Sequence, residues 1–165
     1  MEVRSRDSTE CARTRSDRIL KRTIMQTVNF PSVSDVDSAI TEFNRDFPRP
    51  KMGAIVLSLP YHIVDDFAFG SFPNSAAAGV YLVFDREDRL LYVGKADGLG
   101  KRLGTHFGWN PDRTAGFVKN PKLENAHAVR TIGLPAESWF EAAAIEAFLI
   151  RKLDPGLNVV GRETS

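Results

Sequence analysis

The chain has 165 residues, of which 42% are hydrophobic and 26% are charged, and its formal net charge is +1. This length fits one ordinary domain with a short appendage, and the composition is that of a folded globular protein rather than a fibrous one. The longest nearly unbroken apolar stretch, Ala76 to Phe84, is far shorter than the roughly 20 residues that cross a bilayer. We therefore expect no membrane segment and a cytoplasmic protein.

Residues 1–25 predict a flexible polar leader. They carry seven basic and four acidic side chains and few apolar ones, which fits neither a signal peptide nor a transit peptide. Cys11 is the single cysteine of the chain and lies in this leader. An internal disulfide and a cysteine-based zinc cluster are therefore excluded, and packing must stabilise the core.

Residues 26–78 predict an N-terminal helical extension that packs on the core or forms a dimer interface. Apolar residues recur at helical intervals after Ser34, and Ser34 with Asp37 has the spacing of a capping signature. This pattern predicts a helix that runs to about Asp46, where the following FPRP segment ends it. The run AIVLSL at 54–59 then predicts a short buried strand.

The remainder of the chain alternates strand and helix patterns. GVYLVFD at 79–85 and LLYVG at 90–94 are joined by a charged turn and predict an antiparallel hairpin. A short helix is expected near 99–107, a third strand at 126–134, and a helix dense in Ala, Glu and Leu at 135–153. The fold class is therefore α+β, a small three-stranded antiparallel sheet flanked by helices.

The glycine-rich stretch LLYVGKADGLGKRLG at 90–104 is not a nucleotide-binding loop. A G-x-x-x-x-G-K-[ST] loop would need Gly at position 95 and Ser or Thr at 102, where the chain has Lys95 and Arg102. Between Lys95 and Arg130, seven basic residues stand against three acidic ones. This excess indicates either a patch that binds a polyanion or a solvated face of mixed charge.

Several polar side chains are placed by these predicted elements where they could act together. Tyr81 and Tyr92 lie on the two hairpin strands, and Lys95 lies just beyond the second. Arg102 and His106 are four residues apart and share a helix face. Taken singly, each of these residues also has an ordinary structural explanation.

Glu146 lies on an apolar helix face, because its neighbours three and four residues away are all Ala, Leu or Ile. A carboxylate in such a place needs a partner, and no basic residue lies in register within the same helix. The partner is therefore either a cation such as Arg102, in a structural ion pair, or a metal ion.

The triplets GVY at 79–81 and YVG at 92–94 resemble the signature of the GIY-YIG nuclease superfamily, with valine for isoleucine in both. Arg102, Glu146 and Asn158 continue the match downstream. The resemblance covers residues 79 to about 160 and defines a nuclease domain at 79–165. His106 is similar to the histidine of restriction and homing members, so the closest likeness in motif is to compact enzymes of that type.

The resemblance implies a role for each matched residue in the chemistry. Tyr81 would orient or deprotonate the attacking water, and Tyr92 would be a second phenol that lines the site. Lys95 and Arg102 would contact the scissile phosphate. Ionising a tyrosine at pH 7 costs roughly 4 kcal/mol, so Tyr81 can act as a base only if nearby positive charge lowers that cost.

The resemblance also implies one divalent metal ion, Mg²⁺ or Mn²⁺, held by Glu146. Asn158 would brace the site by hydrogen bonding, and His106 would belong to the catalytic set. A magnesium site with one carboxylate, waters and substrate oxygens is normal for that ion.

The expected function is a metal-dependent endonuclease that hydrolyses DNA phosphodiester bonds. One site cuts one strand, so nicking and double-strand cleavage by a homodimer are both open. The alternatives are a non-catalytic nucleic-acid-binding module with the same fold and a structure-specific repair or recombination nuclease. Seven residues follow Asn158, so target recognition is expected from residues 26–78 or from loops such as GWNPDRTAG.

Overall fold

A computed structural model of the chain describes residues 30–68 and 70–158. The expected leader at 1–25, with Cys11, lies outside the described residues. The α-helices in this part of the chain are α1 (Val33–Asp46), α2 (Leu99–His106) and α3 (Ala142–Leu153). The strands are β1 (Tyr61–His62), β2 (Ala78–Phe84), β3 (Leu90–Ala96), β4 (Phe107–Trp109), β5 (Gly116–Val118) and β6 (Ala128–Leu134). Short 3₁₀ segments lie at Asp66–Ala68, Pro121–Leu123 and Ala136–Glu141.

The main sheet has the strand order β1-β6-β2-β3, and all of its pairs are antiparallel. The α+β prediction is confirmed: β6, β2 and β3 form the expected antiparallel sheet, and the two-residue β1 extends it at one edge. In the central strand β2, Tyr81 lies opposite Gly94 of β3 and Thr131 of β6. β3 forms the other edge of the sheet.

The predicted strand at 54–59 is wrong. No ladder is assigned to these residues, although the backbone N–H of Ser58 donates to the carbonyl of Thr131. The return bond comes from Thr131 N–H to the Ser58 hydroxyl, so a side chain takes the place of the backbone acceptor. Pro60 follows and has no N–H to donate. Regular pairing with β6 therefore begins only at Tyr61.

Helix α1 has its capping box two residues earlier than predicted. The Ser32 hydroxyl accepts from Asp35 N–H at 3.3 Å, and the Asp35 carboxylate accepts from Ser32 N–H at 2.8 Å. The Ser34 and Asp37 pair has the same spacing, so the sequence signature occurs twice. Ser32 is the cap because its backbone is extended, whereas Ser34 already lies within the helix.

The two faces of the sheet carry separate clusters of buried residues, because side chains alternate along each strand. The first cluster joins α1 and α3 to the sheet and includes Val36, Ile40, Phe43, Val80, Leu82, Phe84, Val93, Ile132, Ile145 and Leu149. The second lies beneath α2 and includes Ile63, Tyr81, Val83, Leu99, Leu103, Phe107, Leu123 and Val129. Tyr81 therefore points to the α2 face, between two strands that hold its backbone.

The segment predicted as one helix at 135–153 is a 3₁₀ segment followed by α3. Ser138 is buried, donates its hydroxyl to the Pro135 carbonyl and accepts from Arg49 at 3.2 Å. Such side-chain bonds compete with regular helix bonds. Arg49 also forms an ion pair with Glu141, which ties the segment after α1 to this turn.

At the other end, Asp154 caps α3 in the left-handed conformation at φ 44°.

None of the described helices combines the length and the apolar character that crossing a bilayer requires.

Candidate active site

Glu146 and Asn158 both bind the outer edge of β3. The Glu146 Oε1 atom accepts the backbone N–H of Lys95 at 3.0 Å. Asn158 is buried and makes two bonds to Val93, accepting from its N–H at 2.9 Å and donating to its carbonyl at 2.8 Å. The N–H of Leu157 donates to the Leu91 carbonyl at 3.0 Å. The backbone groups that β3 turns away from β2 are thus paired by α3 and the segment after it.

The two glycines of the triplets provide space for close packing. A Cβ atom at Gly94 would lie 2.6 Å from the Tyr81 ring and hydroxyl and 2.8 Å from the Tyr92 ring. A Cβ at Gly79 would lie 2.0 Å from the Ile132 carbonyl oxygen. Without these side chains, the Tyr81 and Tyr92 rings approach to 5.9 Å between centroids. Gly94 therefore leaves free the space that both phenol rings need.

His106, the last residue of α2, is held between Tyr81 and Asn120. Its Nε2 atom lies 3.0 Å from the Tyr81 hydroxyl, and its Nδ1 atom lies 3.1 Å from the Asn120 side-chain nitrogen. The His106 carbonyl also accepts the backbone N–H groups of Lys119 and Asn120. The ring is therefore fixed on both sides, and its orientation toward Tyr81 follows from these contacts.

The two expected phosphate-binding cations have exposed side chains. Lys95 lies within β3 rather than beyond its end, because the strand continues to Ala96. Arg102 lies one turn before His106 in α2. Neither cation forms an ion pair with Glu146 in the part of the chain that is described. The partner of Glu146 is the backbone of Lys95, and the direct ion pair with Arg102 that the sequence left open is not formed.

The local environment shifts the pKa values of three site residues. Burial, reinforced by the neighbouring Tyr92, raises the pKa of the Tyr81 phenol, and the opposing charge of Arg102 is the smaller effect. Burial also raises the pKa of the Glu146 carboxyl, against the lowering effects of Lys95 and Arg102. Burial and Arg102 both lower the pKa of His106. In the free protein, Tyr81 is therefore a neutral phenol, because the lowering effect of Arg102 on its pKa is smaller than the raising effect of burial.

A cavity of about 450 Å³ brings part of the expected set together. Its lining includes four of the expected residues, Tyr92, His106, Glu146 and Asn158. Tyr81 does not line the cavity but contacts His106, which does. The charge of Arg102 reaches Tyr81, His106 and Glu146. The side chain of Lys95 does not line this cavity.

The cavity also contains two residues that the sequence did not single out, Asn120 and Lys122. Asn120 caps the 3₁₀ segment that begins at Pro121. An Asn-Pro pair signals a turn in the sequence, but its position beside His106 depends on the fold. Lys122 adds a basic side chain to the cavity lining.

The donor atoms around Glu146 fit a hard divalent ion. Oε1 is engaged by Lys95, and Oε2 accepts no hydrogen bond from any described residue. Mg²⁺ commonly binds through one or two carboxylates and keeps several waters, for which the cavity has room. Among the described residues there is no group of three or more His, Cys, Asp and Glu side chains that could hold a metal ion. Glu146 is the carboxylate among the described residues that line the cavity, and it would hold the ion together with waters and substrate oxygens.

Comparison with known proteins finds a family model and several relatives that match this chain. A family model described as the UvrC-like GIY-YIG domain matches residues 77–159. The UvrABC system protein C of Xanthomonas euvesicatoria pv. vesicatoria is 36% identical over 106 residues, which cover 63% of this chain and 16% of that protein. The protein of the same name from Anaplasma phagocytophilum is 36% identical over 90 residues, 54% of this chain and 14% of that one. The Nautilia profundicola protein of that name is 33% identical over 86 residues, which cover 52% of this chain and 14% of that protein.

The chain thus spans about a sixth or less of the length of these relatives. The matched model is the UvrC-like one, whereas His106 had pointed to restriction and homing members. The matched region contains both triplets and every expected site residue, and it covers half of the chain. This chain therefore belongs to the UvrC-like GIY-YIG domain family, within the GIY-YIG nuclease superfamily that its two triplets indicate.

Proposed function

We propose that this chain is a metal-dependent endonuclease that hydrolyses DNA phosphodiester bonds. The observation that carries the proposal is one cavity lined by the Tyr92 phenol, the His106 imidazole and the Glu146 carboxylate. Tyr81 contacts His106, and Arg102 lies near enough for its charge to act on Tyr81, His106 and Glu146. Phosphodiester hydrolysis needs a positioned nucleophile, cations on the phosphate oxygens and stabilisation of the leaving oxygen. The site has candidate residues for the first two tasks, and an ion held by Glu146 would serve the third.

Tyr81 would hold the attacking water through its hydroxyl, with its own position fixed by Gly94 and His106. Because burial raises its pKa, Tyr81 begins the reaction neutral. It becomes a base only after it has released its proton to solvent water, which requires bound cations to stabilise its phenolate. Arg102 and Lys95 are exposed and would pair with phosphate oxygens. An ion bound at Glu146 would supply positive charge for the phosphate and the leaving oxygen.

The hairpin of β4 and β5 would contact the DNA outside the cleaved bond. Phe117 is 40% exposed and Trp109 is 42% exposed, and Arg113 is exposed in the turn between the strands. Exposed aromatic rings beside basic groups suit stacking of unpaired bases. The hairpin leads directly from His106, since β4 begins at Phe107. Its place supports the expectation that the GWNPDRTAG loop takes part in target recognition.

Similarity to the UvrABC system protein C favours a structure-specific form of this function. In that form, the substrate is DNA with damage or a branch rather than a plain duplex. Exposed Phe117 supports this choice, because a stacking surface needs a base that has left its pair. One site cuts one strand, so a monomer would nick and a homodimer would cut both strands.

The test is incubation of the purified protein with supercoiled plasmid, plain duplex, branched duplex and damaged duplex. Each substrate is assayed with Mg²⁺, with Mn²⁺ and with a chelator. We expect metal-dependent cleavage that is strongest on the branched or damaged DNA and is lost in Glu146→Gln. Binding to all four substrates without cleavage of any would instead identify a non-catalytic module.

A further inference from the structure

The side-chain amide of Asn120 has a defined orientation. Its Oδ1 atom accepts the backbone N–H of Lys122 at 3.1 Å. A backbone N–H can only donate, so the oxygen of the amide, and not its nitrogen, must face Lys122. The Nδ2 atom is then the one that faces His106 Nδ1 at 3.1 Å. The amide is thus oriented by the 3₁₀ segment that it caps.

This orientation determines which nitrogen of His106 carries the proton. An amide nitrogen is a donor, so Nδ1 of His106 must offer a lone pair. A neutral imidazole with a free Nδ1 has its proton on Nε2. Nε2 lies 3.0 Å from the Tyr81 hydroxyl oxygen, so its N–H donates to that oxygen. An imidazolium would place an N–H against the Asn120 NH₂ group, and burial with Arg102 also disfavours that charged form by lowering the pKa.

We propose that Asn120 is a positioning residue that keeps the proton of His106 on Nε2, so that His106 donates a hydrogen bond to Tyr81 and does not remove its proton. This inference rests on the proposed nuclease function and assigns the direction of one bond in that site. The Tyr81 O–H is then directed away from the imidazole. When Tyr81 releases its proton to solvent water, His106 stabilises the phenolate by the bond it already makes.

Two variants separate this role from a merely structural one. Asn120→Asp keeps an oxygen for Lys122 N–H, but its second oxygen can only accept. The proton of a neutral His106 then moves to Nδ1, and Nε2 accepts from the Tyr81 hydroxyl, so the direction of the bond is reversed. Asn125→Asp is the matched control, because this substitution makes the same change of charge at an exposed residue that does not contact His106.

The measurement is the ¹⁵N NMR spectrum of the full chain with labelled histidine, without DNA or metal, at a pH where histidine is neutral. The chain has three histidines, and His62→Gln and His127→Gln assign the signals. We expect His106 to show a protonated Nε2 and an unprotonated Nδ1 in the wild type and in Asn125→Asp. In Asn120→Asp, Nδ1 of His106 should be protonated and Nε2 should be unprotonated.

Cleavage assays extend the test to catalysis. We expect Asn120→Asp to lower the cleavage rate at neutral pH about tenfold or more, and Asn125→Asp to retain the wild-type rate. A wild-type His106 protonated on Nδ1, or a tautomer unchanged in Asn120→Asp, overturns the inference. A correct tautomer in a protein that cuts no DNA overturns the proposed function alone, so the two failures are distinguishable.

Discussion

Lys95 and Glu146 are joined by a hydrogen bond of 3.0 Å between a backbone N–H at the end of β3 and a side-chain oxygen on α3. The candidate metal ligand is therefore also a partner of the sheet edge. Asn158 is likewise both an expected site residue and a partner of the sheet edge, through its two bonds to Val93. Structure and proposed chemistry depend on the same side chains, so substitutions at these positions must be designed to separate the two effects.

Glu146→Gln separates them, because the new amide oxygen can still accept the Lys95 N–H while the charge is lost. Burial raises the pKa of Glu146 above its ordinary 4.5, so the charged form destabilises the folded state at neutral pH. The stability that the neutral Glu146 carboxyl contributes is fully present below pH 4.5. It is lost as the pH rises through the pKa of this carboxyl in the folded state. We expect Glu146→Gln to raise Tm at pH 7 by a few degrees without metal, on the order expected for a small change in stability.

The same variant should match the wild-type Tm near pH 4, where the wild-type carboxyl is also neutral. It should lose roughly a hundredfold or more in metal-dependent cleavage. Thermal unfolding at both pH values and a plasmid assay measure these effects. Glu137→Gln, at an exposed position, is the control and should change neither. A lower Tm for Glu146→Gln at pH 7 would show that the charge stabilises the fold.

Asn158→Ala should destabilise the chain by about 2–4 kcal/mol, because it leaves a buried N–H and a buried carbonyl of Val93 without their partner. Urea unfolding followed by circular dichroism measures the change. Asn158→Asp should also be destabilising, since a carboxylate cannot donate to the Val93 carbonyl. Asn125→Ala, at an exposed asparagine, is the control. A loss below 0.5 kcal/mol, on the order of a surface substitution, would contradict the proposed bracing role.

Gly94→Ala tests the space beneath the two phenols. The added methyl group would lie 2.6 Å from Tyr81, so the ring must move, at a cost of about 1–3 kcal/mol. We expect lower stability together with a loss of cleavage, because the Tyr81 hydroxyl leaves its position beside His106. Gly104→Ala in α2 is the opposite case, since nothing lies within 4 Å of its added carbon. That control should be stabilised by about 0.5–1 kcal/mol.

Phe117→Ala should weaken binding to branched DNA by about 5–150-fold, the equivalent of about 1–3 kcal/mol for one stacked base. Binding to plain duplex should change little, because its bases are already stacked on each other. Fluorescence anisotropy in a chelating buffer measures affinity without cleavage. Phe140→Ala is the matched control, since Phe140 is 60% exposed and lies outside the proposed DNA contact. Equal losses of affinity for the two variants would contradict the proposal that the hairpin contacts DNA.

The sequence predicted the hairpin of β2 and β3 well, because runs of β-branched and aromatic residues and a charged turn are local signals. It misplaced the cap of α1, since the same capping spacing occurs at Ser32 and at Ser34. It predicted a strand at 54–59 because composition does not show that a side-chain oxygen replaces a backbone acceptor there. Local patterns therefore located the elements but not every hydrogen bond that ends them.

The site was predicted in part for the same reason. Tyr81 and Tyr92 followed from their triplets, and Glu146 followed from a carboxylate on an apolar helix face. The partner of Glu146 is a backbone N–H 51 residues away, which no pattern of side chains indicates. Asn120 lies beside His106 in the folded chain, but no helical or strand repeat relates their positions in the sequence. Contacts of this kind depend on the folded topology.

The pairing of the outer edge of β3 has a consequence for the chain during its synthesis. Before residue 158 has left the ribosome, β2 and β3 can pair, yet the outward backbone groups of Leu91, Val93 and Lys95 have no partner. An open edge of this kind can pair with a strand of another chain and begin aggregation. Glu146, Leu157 and Asn158 close it when α3 and the segment after it dock. The proposed nuclease site would thus be completed at the same step that protects the nascent chain from self-association.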